Sequence, residues 1–133
     1  MGKQNDELTR ATEVFARGFC FTHSLTHPYL AERIGSVWAV RDAPRTRGTY
    51  RREEYIAHAI PAKALDQIAR ERARDRFAIC AICASGESDE SLRADFKHLH
   101  YRLNNTEPVM THQLKRIPRA KAPADIVRVL TLT

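Results

Sequence analysis

Three groups of residues in this sequence have the types and spacing to do chemistry. The first is the stretch from 41 to 52, where Arg41, Arg45, Arg47, Arg51 and Arg52 surround Tyr50. Guanidinium groups beside an aromatic ring can hold phosphate and stack on a base, although an exposed loop has the same composition and is the commoner case. The second is the acidic pair Glu53-Glu54 that follows directly. A carboxylate can act as a base toward an amine, but neighbours on a strand face opposite ways, so the expectation is a solvated pair. The third group is the histidines and cysteines. If the repeat Thr22-His23 and Thr26-His27 were helical, His23 and His27 would share a face and offer two zinc ligands. A metalloprotease motif would need glutamate where Ser24 stands, so the expectation is a loop that packs Phe19, Phe21 and Tyr29 on the core, with no metal. Cys80 and Cys83 match C-x-x-C, but residues three apart on a strand point to opposite faces and read as small buried hydrophobes. His98, His100 and His112 could meet only if the last helix and the strand after it are neighbours. Serine and cysteine nucleophile motifs and Walker-type phosphate loops are absent.

At 133 residues and 43% hydrophobic content, the chain suffices for one core. The net charge of +6 favours an anionic partner such as nucleic acid or a phosphate-bearing cofactor. Acidic residues are interspersed among the basic ones, however, which favours a solvated surface. Three cysteines give no disulfide framework. The first residues lack the apolar core of a signal peptide, and no segment approaches the roughly 18 apolar residues of a membrane span. A cytoplasmic protein without a membrane partner is expected.

The elements that would position these residues follow from periodicity. Leu8, Ala11, Val14 and Phe15 predict a helix from Asp6 to Ala16, with Gly18 as its stop. Gly35 to Asp42 reads as a strand. Glu53 to Ile60 also reads as a strand through Tyr55, Ala57 and Ala59, although Ile56 and Ile60 are one helical turn apart as well. Pro61 suits the start of a helix running to Arg74, with Leu65, Ile68, Ala69 and Arg72 on one face. Arg76 to Ala84 has the look of a strand buried on both faces. Ser88 or Asp89 can cap a helix whose stripe is Leu92, Phe96, Leu99 and Leu103. After a turn at Asn104-Asn105, Val109 to Leu114 is extended. Ile117 to Pro123 is a basic linker, and Ala124 to Leu132 regains strand character. The expected division is a domain over residues 1–116, with a linker and terminal strand over 117–133. The chain stops without turn chemistry, which leaves an incomplete fold as an open alternative.

Phe77-Ala78-Ile79-Cys80-Ala81-Ile82, followed by Ala94-Asp95-Phe96-Lys97-His98-Leu99-His100-Tyr101-Arg102-Leu103, resembles the closing half of the GNAT family of acetyl-CoA-dependent N-acetyltransferases. The stretches Trp38 to Pro44, Glu53 to His58 and Tyr101 to Pro108 are similar to the amino-terminal, degenerate half of longer two-part bacterial GNAT-like proteins. The resemblance implies an α/β fold of α+β type, a mixed sheet with helices packed on it. It implies an acyltransferase module that moves acetyl from acetyl-CoA, its substrate, to an amine, with no metal. A second GNAT-like half or a homo-oligomer is the implied partner. In the family, an Arg/Gln-x-x-Gly-x-Gly/Ala loop opens a helix that holds the coenzyme A pyrophosphate on bare backbone. The nearest match here is Arg45-Thr46-Arg47-Gly48-Thr49-Tyr50, so Arg45, Arg47 and Gly48 are the cofactor-binding candidates; Tyr50 stands where a tiny residue is wanted. The family's general-acid tyrosine aligns with Phe96, which has no hydroxyl, and His100 replaces a glycine. Glu54 and Tyr101 are the remaining catalytic candidates. The expectation is a module whose activity is lost or needs a second half. The alternatives are a basic module binding nucleic acid and a structural half supporting a partner domain.

Overall fold

The computed structural model describes residues 2–110, and the extended stretch beyond Met110, the linker and the terminal strand expected from the sequence lie outside them. The element order is α1 (Gly2–His23), β1 (Tyr29–Ile34), β2 (Val37–Asp42), β3 (Glu53–His58), α2 (Ala62–Arg72), β4 (Phe77–Ile82) and α3 (Glu90–His98). The strands form one mixed sheet in the order β1-β2-β3-β4, with the first two pairings antiparallel and β3–β4 parallel. This is the mixed α/β architecture expected from the sequence.

Alternation along β2 and β3 sends side chains to two separate cores. Val37, Ala39, Tyr55 and Ala57 meet Leu65 and Ala69 of α2, with Phe77, Ile79 and Phe96 at the margin. On the other face Trp38, Val40 and Ile56 meet Ala16 of α1 and Tyr29, with Phe15, Phe19 and Cys20 alongside. Helices on both faces explain why the two central strands are buried nearly throughout. In β4, by contrast, most residues are half-buried and Ala81 is exposed. It was expected to be buried on both faces; among the described residues it pairs on one side only. On α2 the buried face is Ala62, Leu65 and Ala69, with Ile68 beside it, whereas Arg72 is exposed rather than on that face.

The first helix runs well beyond the expected stop. Gly18 costs a helix interior about 1 kcal/mol against alanine, but Phe15, Phe19 and Cys20 on either side of it pack on the sheet and outweigh that cost. Thr12 and Thr22 donate their hydroxyl protons to the carbonyls four residues back, at 2.7 and 3.0 Å. Phe19 and His23 therefore lie on helix rather than loop, and His23 stacks on Phe19 with centroids 4.0 Å apart. Strand β1 had no clear sequence signal: Tyr29 alone is buried in Tyr-Leu-Ala-Glu-Arg-Ile. It is held in place by a two-residue turn in which Gly35 supplies the positive φ of +60°.

The last described helix ends five residues before the expected Leu103, which is exposed. His100 takes the left-handed conformation, φ +67°. Its N–H donates to Lys97 O at 3.0 Å, and the Tyr101 N–H donates to Phe96 O at 2.9 Å. That pair of bonds is a Schellman closure, completed by the Phe96 and Tyr101 rings meeting edge to face at 5.5 Å. A histidine is strained where glycine is usual. His100→Gly is therefore expected to raise unfolding stability by about 0.5–1 kcal/mol and His100→Val to lower it, as read from urea midpoints. Equal midpoints for all three proteins would contradict this origin of the helix end.

Candidate functional site

The chemistry-bearing residues collect at the two opposite ends of β3. At its start lies a network of arginines and carboxylates centred on Asp42, whose side chain is fully buried at the end of β2. Arg51 donates its backbone N–H to Asp42 Oδ2 at 2.7 Å, and its Nε and Nη2 donate to Oδ1 at 2.8 and 2.6 Å. The same guanidinium donates to the carbonyls of His23, at 2.8 Å, and His27, at 3.0 Å. One residue thus caps the carbonyl end of α1, clamps the turn into β1 and neutralises the buried carboxylate. Burial pushes the Asp42 carboxyl up, but the hydrogen bonds from the Arg51 side chain and backbone outweigh it and hold the group below the usual carboxylate range.

Glu53 and Glu54 do face opposite ways, but they are not a solvated pair: they are 1% and 8% exposed. Glu53 accepts from Arg74 Nε at 2.7 Å and from the Tyr55 hydroxyl at 3.1 Å. Glu54 accepts two donors of Arg52, at 3.0 and 2.7 Å, on one oxygen. Each carboxylate is paired with a guanidinium where it lies. Arg74 also donates to the Asp42 carbonyl at 2.8 Å and covers the Tyr50 ring at 3.8 Å.

The cofactor candidates belong to this same end. Arg45 Nη2 lies 3.5 Å from Asp42 and Nη1 donates to Thr49 O at 3.2 Å, so the guanidinium folds back on its own loop. Gly48 takes φ +83° to make that loop turn. Arg47 is exposed and has no hydrogen-bond or ion-pair partner among the described residues. All three lie in the connection that leads into β3, whereas α2 begins after β3 has ended, about 17 Å away along a six-residue strand. They cannot be a loop that opens α2.

The junction that does open α2 is Ala59-Ile60-Pro61. Ala59 is held in the left-handed region at φ +52°, with a Cβ where glycine would leave bare backbone. Pro61 has no N–H to offer, and the amides of Ala64 and Leu65 close back on its carbonyl at 3.0 and 3.1 Å. Beside this junction a cavity of about 230 Å³ opens between α1 and the sheet, lined by Asn5, Thr9, Arg33, Trp38 and His58 among others. The Thr9 hydroxyl donates to Asn5 O at 2.8 Å, so at 3.1 Å it can only accept from His58 Nε2. His58 Nδ1 is buried and has no hydrogen-bond partner among the described residues. The volume lies below the roughly 300–1,000 Å³ of ordinary small-molecule sites.

Among the other candidates, Tyr101 donates to Asp66 at 2.6 Å; burial first, and then that bond, push its phenol far above the ordinary range. Phe96 packs at the margin of the α2-side core. His98 and His100 are exposed, and His112 lies outside the described residues. Burial, followed by the charges of Glu54 and Glu107, lifts the Cys80 thiol to about 11, while Cys83 is exposed beyond the end of β4. No set of three His, Cys, Asp or Glu suited to a metal occurs among the described residues, and no helix there is long and apolar enough to cross a membrane. Sequence reasoning missed Asp42, Arg74 and His58. Arg74 stands 21 residues from Glu53, a pairing that no local pattern displays.

Protein-family models, curated proteins and solved structures were compared with the chain, and none matches.

Because the folded Asp42 carboxyl titrates below its unfolded value near 4, its stabilisation is present above that value and is lost as the pH falls through the folded one. Asp66, also held low by Tyr101 and Arg70 against its burial, contributes in the same direction. Asp42→Asn should cost about 3 kcal/mol at neutral pH. The variant should also show a shallower acid decline, so that the two stability-versus-pH curves converge below about pH 4. Parallel curves from urea unfolding across that range would refute the assignment.

Proposed function

We propose that this chain works as a GNAT-like acetyltransferase module that carries out no acetyl transfer of its own and supports a partner domain. The strand β4 followed by α3, with Tyr101 at the helix end and a parallel β3–β4 pair bridged by α2, supports the GNAT-like reading. The observation that carries the second half of the proposal is the junction before α2. Coenzyme A needs backbone amides presented without side chains at a helix start, and Ala59-Ile60-Pro61 presents a left-handed alanine, a bulky isoleucine and a residue with no amide proton. The residues present do not fit the coenzyme. The only Arg-x-x-Gly segment near the expected position, Arg45 to Gly48, lies at the other end of β3. Phe96 cannot protonate a thiolate, Tyr101 is held by Asp66, and Glu54 is neutralised by Arg52.

Nucleic-acid binding is the less favoured reading. Of the five arginines between 41 and 52, four make ion pairs with Glu32, Asp42 or Glu54. A phosphate backbone would have to compete with carboxylates already in place.

A ligand at a hundred times its dissociation constant stabilises by about 2.7 kcal/mol, which moves the melting temperature of a chain this size by several degrees. Acetyl-CoA at about 1 mM should therefore leave the melting temperature within about 1 °C of the free protein. RNA should give no salt-sensitive gel shift near physiological ionic strength. A rise of several degrees with acetyl-CoA would overturn the proposal, and a steep salt-dependent shift with RNA would replace it with the nucleic-acid reading.

A further inference from the structure

Strand register builds the cavity between α1 and the sheet. Arg33 and Trp38 are direct cross-strand partners of β1 and β2, so both side chains lie on the face that α1 covers. Trp38 in turn opposes Ile56 of β3, and His58, two residues further on, is on the same face. The same register continued by two residues sets Ser36 against His58. From α1, Asn5 and Thr9 stand one helical turn apart, and Thr9 meets His58 at 3.1 Å. Polar side chains from the helix and three strands thus converge on about 230 Å³, far more than the roughly 10–15 Å³ that one water molecule needs.

The chemistry of this lining is one-sided. Arg33 and Trp38 can only donate hydrogen bonds, and no acidic side chain lines the cavity. Arg33 Nε donates to Gly35 O at 2.9 Å, which ties the guanidinium to its own turn. Its Nη groups make no hydrogen bond or ion pair among the described residues. A guanidinium held in place but unmatched by a carboxylate is preorganised for an oxyanion, because its fork fits two oxygens at once. His58 supplies a second sign, since its buried Nδ1 lacks a partner among the described residues and a buried polar atom needs one. An oxyanion answers it whichever way the ring proton lies, accepting from an N–H or, as hydrogen phosphate, donating its own O–H.

We propose that this cavity binds a small oxyanion, a phosphate or carboxylate group gripped by Arg33 with Asn5, Ser36, Trp38 and His58 around it. None of these groups is a backbone amide of α2. The inference therefore goes beyond the proposed function and does not depend on whether acetyl-CoA binds.

Trp38 is the only tryptophan of the chain, so its fluorescence reports on the site directly. The full chain is titrated with sodium phosphate, and separately with sodium acetate, at an ionic strength held constant with chloride. A saturable change is expected for one or both, with a dissociation constant on the order of 1 mM. Saturation by phosphate alone assigns the site to phosphate-bearing solutes, and saturation by acetate alone assigns it to carboxylates; each upholds the proposal, as does saturation by both. Arg33→Gln should weaken binding at least about tenfold, with circular dichroism and the melting temperature of the free protein unchanged. If that variant is unstable, Ser36→Ala, at an exposed turn position, takes its place with an expected loss of about threefold. Arg17→Gln is the control, because that guanidinium lies over the Trp38 ring at 5.3 Å but is paired with Glu13 at 2.9 Å. Its removal should change the affinity less than about twofold. No saturable change with either anion would overturn the proposal, as would an undiminished affinity in Arg33→Gln or an equal loss in Arg17→Gln.

Discussion

A carboxylate with no access to water must have its charge answered, and in this protein the buried Asp42 is answered chiefly by Arg51. The arrangement fixes more than one pair. Arg51 simultaneously accepts responsibility for the last carbonyls of α1, the turn into β1 and the Asp42 side chain at the end of β2, while its own backbone leads into β3. Four elements that meet at this end are therefore joined through one arginine. Tyr29 reinforces the node, lying under Arg51 at 4.8 Å and donating to Arg52 O at 2.9 Å.

The same electrostatics decide what the basic stretch can do. Arginine is the residue best suited to hold phosphate because its fork matches an oxyanion, and that fork is already matched here by carboxylates and carbonyls of the chain itself. Arg74, outside the stretch, extends the pattern by joining Glu53 and the Asp42 carbonyl. Within the stretch, Arg41, Arg45, Arg51 and Arg52 are ion-paired, whereas Arg47 is exposed. The opposite end of β3 has the complementary lack: a helix start with open space beside it, but with side chains and a proline where bare amides would be needed.

Much of the frame was legible. The strand from Glu53 and the helix from Ala62 are where alternation and Pro61 put them. What escaped local reading was decided at a distance. Gly18 looks like a stop because glycine usually is one, yet Phe15 and Phe19 gain enough by packing on the sheet to carry the helix through it. Glu53 and Glu54 look solvated because acidic pairs usually are, and Arg74, Arg52 and the Tyr55 hydroxyl make their burial tolerable. The run from Phe77 to Ile82 looks fully enclosed because it is apolar, but apolar content does not tell how many neighbours a strand has. His100 marks a helix end that a search for glycine passes over, since histidine tolerates the left-handed region better than most residues.

The account depends on the arginines being structural, and a double-mutant cycle between Asp42→Asn and Arg51→Met, measured by urea unfolding in low and high salt, tests that most directly. A buried, multiply bonded pair predicts a coupling energy above about 1.5 kcal/mol that survives about 1 M salt. A coupling near zero, or one that vanishes with salt, would mean that Arg51 is a surface charge free to bind something else.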